Sequence, residues 1–460
     1  MINEKIPIPE ENAKYGLSLL QKVILIFIFL FFAYTFWCNF TKKTYLPYYL
    51  ISIAYLTTCF HKFFLILSGI IKSKEVKVSE IEIFSYQNWP LYTILLPIYK
   101  EKEIFPQLYN AIENLDYPKE KLEIILLIEK DDIEIQEYLQ NLNLPDRWEK
   151  IIIPDFPPKT KGKALNYGLE KANGKYIVIY DAEDIPEKNQ LKKAVIGFEK
   201  VNEKVVCLQA KLNYYNPYQN ILTKWFTAEY SSWFDLYLPG IDKINAPIPL
   251  GGTSNHFRTE ILKKLNGWDP FNVTEDCDLG IRIFKKGYRT KILDTTTWEE
   301  ANSKLKNWIK QRSRWIKGYI QTYFIHMRNP FYLIKKIGII NFLNFNLIIG
   351  GNFFVLCFNP IAWAFLFSTI SHKNFYFPNL FFKIVTPTLL FGNIFFIIIN
   401  IFGSLKRKYY KLIIPSLFSP IYWFLMSIGA WKGVLQYFTK PHFWEKTEHG
   451  LFLDNQVNIV

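Results

Sequence analysis

Cysteine is scarce in this 460-residue chain. The five cysteines, Cys38, Cys59, Cys207, Cys277 and Cys357, show no paired spacing, and at least three fall inside apolar runs, so neither a disulfide framework nor a zinc site is indicated. A Walker loop, a dinucleotide fingerprint and a Ser-His-Asp order are also missing. There is no internal repeat and no low-complexity linker. No small-residue cleavage site follows the first apolar run, which is too long for a cleaved signal peptide, so we read that run as an anchor. The lone histidines His256 and His326 are expected to be structural.

Apolar residues are abundant: half of the chain is hydrophobic, with 40 Phe, 29 Tyr and 13 Trp, and they are gathered in blocks. Residues 23–41 carry no charge, enough to cross a bilayer core, which takes about 20 helical residues. Residues 45–71 follow as a second expected span despite His61 and Lys62, and residues 337–371, 384–405 and 412–431 make at least three more. Between them lies a water-soluble stretch. The expected division is 1–71 with two transmembrane helices, 72–328 as one α/β domain ending in an interfacial helix, and 329–460 with three or four helices and a short tail. The formal net charge of +14 suggests nucleic acid only superficially, because no nucleic-acid module is recognisable and much of the charge flanks spans, notably Lys406, Arg407, Lys408 and Lys411. The positive-inside rule accounts for it. It marks loop 406–411, and with it the central domain, as cytoplasmic, and a loop around 372–378 as extracytoplasmic. The tail is expected inside, through a break at Pro415 and Pro420 or a double pass within 337–371.

In the central domain, runs at 91–99, 122–128, 151–156 and 175–181 are strand candidates. Helix-period segments separate most of them, which predicts a parallel sheet covered by helices, with ligands bound where the strands end. Those ends are polar: Pro97 to Glu101, Glu129-Lys130-Asp131-Asp132, and Asp181-Ala182-Glu183-Asp184. Further on, Thr274, Glu275, Asp276 and Asp278 precede an amphipathic helix. Each acidic cluster alone is equally explained by capping and by the helix dipole. Together they suggest more. Asp181 and Glu183, or Asp184 through a turn, can share one hard cation such as Mg²⁺ or Mn²⁺ that neutralises a diphosphate. Lys161 and Lys163 can add positive charge, and Asp276 is then free to act as a general base. In QRSRWIKGY, Gln311, Arg314 and Trp315 share one helix face that can grip a phosphate and a sugar. An equally available reading is an interfacial helix, with Trp308 and Trp315 at the membrane surface and Lys310, Arg312 and Lys317 facing headgroups.

DAED, then TED, then Q-x-x-R-W, in that order between membrane helices, resembles the processive family 2 glycosyltransferases, which include cellulose, chitin, hyaluronan and poly-N-acetylglucosamine synthases. The motifs cover about residues 93–318. The resemblance implies a Rossmann-like GT-A domain inserted between N- and C-terminal transmembrane helices, and inverting, metal-dependent hexosyl transfer from a nucleotide sugar, usually UDP-linked. It places Pro97, Tyr99 and Glu101 at the nucleotide pocket and Asp131, or its neighbours Glu129 and Asp132, on the uracil or ribose. It sets Lys161 near the diphosphate, Asp181 and Glu183 on the metal, and Asp276 as the base, with Glu275 beside it. Gln311, Arg314 and Trp315 complete the acceptor and diphosphate site, and Gly251, Gly252 and Thr253 lie near the sugars. Three departures stand out: Lys100 for the usual Asn, Glu183 for the second Asp of the metal motif, and Glu129-Lys130 for the usual paired Asp. Neither an F-x-V-T-x-K gating loop nor an R-x-x-x-R cyclic-dinucleotide signature is present. The tail KPHFWEKTEHG resembles the end of a bacterial subgroup of these enzymes.

Three functions follow as expectations. The first is a polysaccharide synthase that extends a β-glycan and passes it through its own spans, with accessory export proteins or an oligomer as compatible partners. The second is single-sugar transfer to a membrane lipid. The third, a transporter or receptor with a nucleotide-sensing domain, is disfavoured by TED and Q-x-x-R-W. Asn344, Asn346, Asn352, Asn359, Asn393 and Asn400, placed in apolar runs, are expected to face a cavity or neighbouring helices.

Overall fold

The computed structural model of the chain describes residues 8–42, 46–71, 73–371, 379–448, 450 and 452. Its centre is an eight-stranded sheet in the order β3-β2-β1-β4-β7-β6-β8-β5, formed by β1 (Tyr92–Ile98), β2 (Leu122–Glu129), β3 (Trp148–Ile153), β4 (Tyr176–Ile179), β5 (Ile185–Pro186), β6 (Val205–Tyr214), β7 (Asn255–Arg258) and β8 (Arg289–Glu299). In β1, β2 and β4 alternate residues feed two different cores. Leu95, Ile125, Leu127, Ile177 and Ile179 enter one, while Ile94, Leu96, Ile124, Leu126 and Val178 enter the other. That is the period-2 geometry of a strand buried on both faces.

The four expected strands all form, with two amendments. β3 starts at Trp148, paired with Ile124, and ends before Pro154, which has no N–H for the ladder, so it lies earlier than the apolar run IIIPDF suggests. The sheet is also mixed: β3, β2, β1 and β4 are parallel, but β7 is antiparallel to both β4 and β6. The unpredicted strand β6 is buried throughout although it reads QAKLNY at its end. Its polar side chains have partners inside: Gln209 with Gly251 N–H at 2.8 Å, Lys211 with Glu75 at 2.7 Å, and Asn213 with Ser231 at 3.0 Å. Paired burial hides such a strand from a hydrophobicity scan.

Among the described residues three helices are long and apolar enough to cross a membrane, Tyr49–Ile71, Pro330–Ile361 and Leu389–Lys406. The first helix, Leu19–Lys42, contains a shorter apolar stretch, Leu19–Thr35. The expected span at 412–431 takes another form: Tyr410–Leu417 and Ser419–Thr439 meet at a 70° bend. Both ends of this pair return to the α/β domain, through Arg407 on Asp235 at 2.6 Å and through Gln321 on the Pro441 carbonyl at 3.0 Å. Its second arm packs along Leu305–His326 and exposes Ile421, Phe424, Ile428, Trp431, Leu435 and Phe438 at helical spacing on one face. A bend of this kind belongs to a broken span or to a re-entrant loop. The expected loop at 372–378 lies outside the described residues.

The domain meets the spans through Ile221–Ser232, a π-helical turn Trp233–Tyr237 and Leu238–Lys243. A Cβ at Gly240 would stand 1.9 Å from the Leu65 carbonyl oxygen, and one at Gly69 2.7 Å from that of Leu236. Only glycine permits backbones to approach so closely. Of the asparagines in the apolar runs, Asn344 bonds His61 at 2.9 Å, Asn346 accepts from Tyr323 at 2.9 Å and Asn393 bonds the Leu389 carbonyl at 2.7 Å. Asn352, Asn359 and Asn400 line a cavity.

Candidate active site

That cavity, about 820 Å³, runs from the strand ends of the α/β domain to the long apolar helices, and its volume is near the upper end of the ~300–1,000 Å³ of small-molecule sites. The end of β1 supplies Pro97, Tyr99, Lys100 and Glu101. Lys100 has φ +56°, a conformation Asn tolerates better than Lys, and its N–H bonds Asp132. β2 supplies Glu129. Burial pushes this carboxyl up to about 7, against the charge of Lys163, and its Oε2 has no hydrogen-bond partner.

Asp131 is not among the lining residues. The strand ends at Glu129 and the following turn carries Asp131 to the rim, where Lys159 holds it at 2.8 Å and lowers its pKa. Of these two, Glu129 is therefore the one that faces the cavity. Lys163 turns away too: fully buried, it donates to the carbonyls of Pro154 at 2.7 Å and Phe156 at 2.8 Å.

At the end of β4, Asp181 and Glu183 line the cavity, whereas Asp184 is fully buried and closes the turn by accepting from Asp181 N–H at 2.7 Å. Burial and then the charges of Asp181 and Glu183 push Asp184 well above the ordinary carboxyl range. Thr253 belongs with Asp184. Fully buried and away from the cavity, its hydroxyl lies 3.0 Å from the Ile179 carbonyl and bonds Asp184. Thr253 thus shapes the turn from behind and does not line the cavity.

Lys161 begins the helix Lys161–Lys171, capped by Thr160, and its ammonium group pairs with Asp181 and the Gly252 carbonyl at 2.8 Å. Gly252 marks the convergence point: a Cβ there would stand 3.5 Å from Asp276 Oδ2 and 4.0 Å from both Asp181 Oδ2 and Lys161 Nζ. Glu275 and Asp276 open the helix Glu275–Lys285. Burial raises Glu275 to about 7, with Asp276 adding to it, and raises Asp276 to about 6 against the pull of backbone N–H groups and Lys161. Glu299 at the end of β8, unmarked in the sequence, joins the lining and is also raised by burial and by the charges of Asp184, Glu183 and Asp181.

Gln311, Arg314 and Trp315 project into the same cavity from Leu305–His326. Arg314 stacks 5.0 Å from the Trp444 ring. Trp315 is backed by Tyr230 at 6.1 Å and by the Arg312 guanidinium at 4.7 Å, leaving it partly open to the cavity. The headgroup-facing reading fails for Trp308, Arg312 and Lys317. Trp308 and Lys317 are fully buried and Arg312 nearly so; Arg312 holds Glu229 and Lys317 the Phe443 carbonyl, because the arm Ser419–Thr439 covers this face. The tail crosses the mouth of the site. Lys446 donates to the carbonyls of Tyr99 and Lys100, and Trp444 and Thr447 line the cavity. Only the aromatic-basic composition of KPHFWEKTEHG hinted at this.

Asp276 Oδ1, Gln311 Oε1 and Arg314 Nη1 are buried without a hydrogen-bond partner, so the cavity is built for a polar ligand. For a divalent cation the fit is good in kind: Asp181 and Glu183 are hard oxygen donors. Among the described residues no group of three or more His, Cys, Asp or Glu gathers as a metal site. Two protein carboxylates plus phosphate oxygens is how Mg²⁺ is commonly held.

The model of glycosyl transferase family group 2 matches residues 176–431, more than half of the chain. The chain belongs to this family. Among curated relatives, "Probable glycosyltransferase YdaM" of Bacillus subtilis is 31% identical over 232 residues, 50% of this chain and 55% of that protein. "Probable glucomannan 4-beta-mannosyltransferase 15" of Arabidopsis thaliana is 24% identical over 315 residues, 66% of this chain and 55% of its own length. The chain thus spans little more than half of each. Among solved structures, the mannosyltransferase PcManGT of Pyrobaculum calidifontis, in complex with GDP-Man and Mn²⁺, superposes with a TM-score of 0.54 at 18% identity, covering 85% of this chain and 98% of that one. That likeness concerns the fold, which is GT-A-like.

Proposed function

We propose that this chain is an inverting hexosyltransferase that moves sugar from a nucleotide sugar, UDP-linked by family resemblance, to a hydroxyl of a β-linked glycan growing in the membrane-side arm of the cavity. One observation carries this: a single cavity is lined at one end by Pro97 to Glu101 and Glu129, and at the other by Asn352, Asn359, Asn400 and Trp423 of the apolar helices, with Asp276, Arg314 and Trp315 on its wall. Amides and an indole are the groups that hydrogen-bond and stack sugars. In this reading the catalytic domain 72–328 faces the cytoplasm; the basic loop 406–411, whose Arg407 docks on Asp235, supports it.

Asp276, with a pKa near 6, accepts the proton of the acceptor hydroxyl as its oxygen attacks the anomeric carbon opposite the diphosphate, so the configuration inverts and no covalent enzyme intermediate forms. Arg314 and Lys161 balance charge building on the departing diphosphate. Mg²⁺ or Mn²⁺, held by Asp181 and Glu183, supplies further charge neutralisation there when bound. Trp315 orients the acceptor ring. Incubating the purified chain with a panel of radiolabelled nucleotide sugars tests the proposal: polymer is expected, a single-sugar lipid would replace the glycan acceptor, and no product from any donor would refute transfer.

A further inference from the structure

Glu299 ends β8 and lines the cavity, yet it has no part in the proton transfer or in holding the diphosphate. Among the described residues its carboxyl makes no hydrogen bond and no ion pair. The next residue shows the contrast: Glu300 is buried and accepts from the Gly450 N–H at 2.6 Å, so it holds the tail. The backbone at Glu299 is fixed, its carbonyl accepting from the Tyr215 N–H at 3.1 Å. Burial and the charges of Asp184, Glu183 and Asp181 oppose ionisation of the Glu299 carboxyl. Leaving it unpaired is therefore costly, and no contact within the fold offsets the cost.

Two walls of the cavity meet at this residue. On one side are Asp181 and Glu183, whose charges reach it. On the other, Glu299 stands in register with Tyr214 of β6, whose ring lies 4.4 Å from that of Tyr230, and Tyr230 backs Trp315 at 6.1 Å. Glu299 thus lies between the metal-side carboxylates and the wall that carries the indole. Its like charge repels a diphosphate. Nor does it join Asp181 and Glu183 as a third metal ligand, since among the described residues no group of three or more His, Cys, Asp or Glu gathers as a metal site. A sugar ring stacked on an indole presents its C–H face to the aromatic plane and its hydroxyls at the rim. An ionised carboxyl only accepts hydrogen bonds, so it reads a hydroxyl and rejects a hydrogen in its place.

We propose that Glu299 determines acceptor specificity by accepting a hydrogen bond from one hydroxyl of the sugar ring stacked on Trp315. This rests on the proposed glycan acceptor for its consequence but not for its test. The full chain, purified in neutral detergent and saturated with UDP or GDP, is titrated by ligand-observed NMR with the β-1,4-linked disaccharides of glucose, mannose and N-acetylglucosamine, and with each monodeoxy form of the tightest binder. The same sugars are offered as acceptors with radiolabelled nucleotide sugars. Wild type is expected to bind at least one disaccharide and to lose about tenfold or more in affinity when one particular hydroxyl is replaced by hydrogen, the scale of a hydrogen bond to a charged group. Glu299→Ala should bind the parent disaccharide about tenfold more weakly and should bind it and that deoxy sugar within about twofold of each other. Glu299→Gln, which keeps an acceptor oxygen, should recover part of the discrimination, and nucleotide affinity should stay within about twofold in both variants. Glu299-dependent discrimination with no transfer from any donor supports the subsite and refutes the glycosyltransferase proposal instead. Discrimination by Glu299→Ala at the same hydroxyl as strong as in wild type overturns the assignment, as does a wild type that binds none of the three disaccharides. So does loss of nucleotide affinity in both variants, which would mark Glu299 as a support of the Asp181 turn.

Discussion

Gly318→Ala separates the placement of Asp276 from the stability of the fold. Gly318 follows Arg314 by one helical turn on Leu305–His326 and lies against Thr274, the residue that starts the helix of Asp276. A Cβ at 318 would stand 2.1 Å from Thr274 Oγ1, 2.4 Å from its Cγ2 and 2.6 Å from its Cβ. Ordinary contact begins near 3.4 Å, so one helix must yield by roughly an ångström. For stability, two effects oppose each other. Alanine gains about 1 kcal/mol over glycine in a helix interior, while overpacking costs about 1–3 kcal/mol, for a net loss of about 0–2 kcal/mol. For transfer nothing opposes the shift, and a displacement of about 1 Å between reacting groups costs on the order of 10²-fold. Nucleotide release should therefore fall about 10²-fold under saturating donor while donor affinity, by calorimetry, changes less than about threefold. Thr274→Ala in the Gly318→Ala background removes the two nearest atoms and should recover part of the rate. Wild-type turnover in Gly318→Ala, with an unchanged melting profile, would refute the claim that this contact sets the position of the base.

Other predictions address the chemistry and the tail. Asp276→Asn keeps shape but not basicity, so donor binding should survive while transfer falls about 10²-fold or more. In the wild type, kcat/KM should be level above pH 6 and fall about tenfold per unit below it, because Asp276 is raised to about 6 and only its ionised form accepts a proton; a flat profile down to pH 5 would exclude it as the base. Excess chelator, and Asp181→Ala, should each abolish transfer, read as nucleotide release. Glu11 ties the N-terminal segment to His326 and Lys285. Burial opposes its charge, but these partners hold Glu11 at about 2, and Asp278 and Glu11 raise buried His326 above its ordinary value. The Glu11 contribution is present above its unfolded pKa near 4.5 and lost as pH falls toward 2; that of His326 is present below about 6.5 and lost as pH rises through its folded value. Glu11→Gln should thus lower the melting temperature most between pH 4.5 and 6.5.

The sequence by itself determined the elements whose physics is local. β1, β2 and β4 were legible because both faces are buried and the runs LYTILLPIY, LEIILLI and KYIVIYD are almost wholly apolar. Asp181, Asp276, Gln311 and Arg314 were legible because they sit at strand ends and helix starts, where backbone geometry aims them. Tertiary structure decided what depends on partners distant in sequence. β6 is a buried strand only because Glu75, Ser231 and Gly251 satisfy its polar side chains. Whether an acidic residue faces the cavity turned on one or two steps of chain direction: Glu129 does while Asp131 lies at the rim, and Glu183 does while Asp184 is buried. Arg312 and Lys317 read as headgroup contacts until Ser419–Thr439 covered them, and Lys62 read as a tolerated charge until its neighbours proved to be aromatic rings and an already occupied Glu229. Hydrophobic pattern reports how much of a residue is buried, but which group meets it there is set by segments hundreds of residues away.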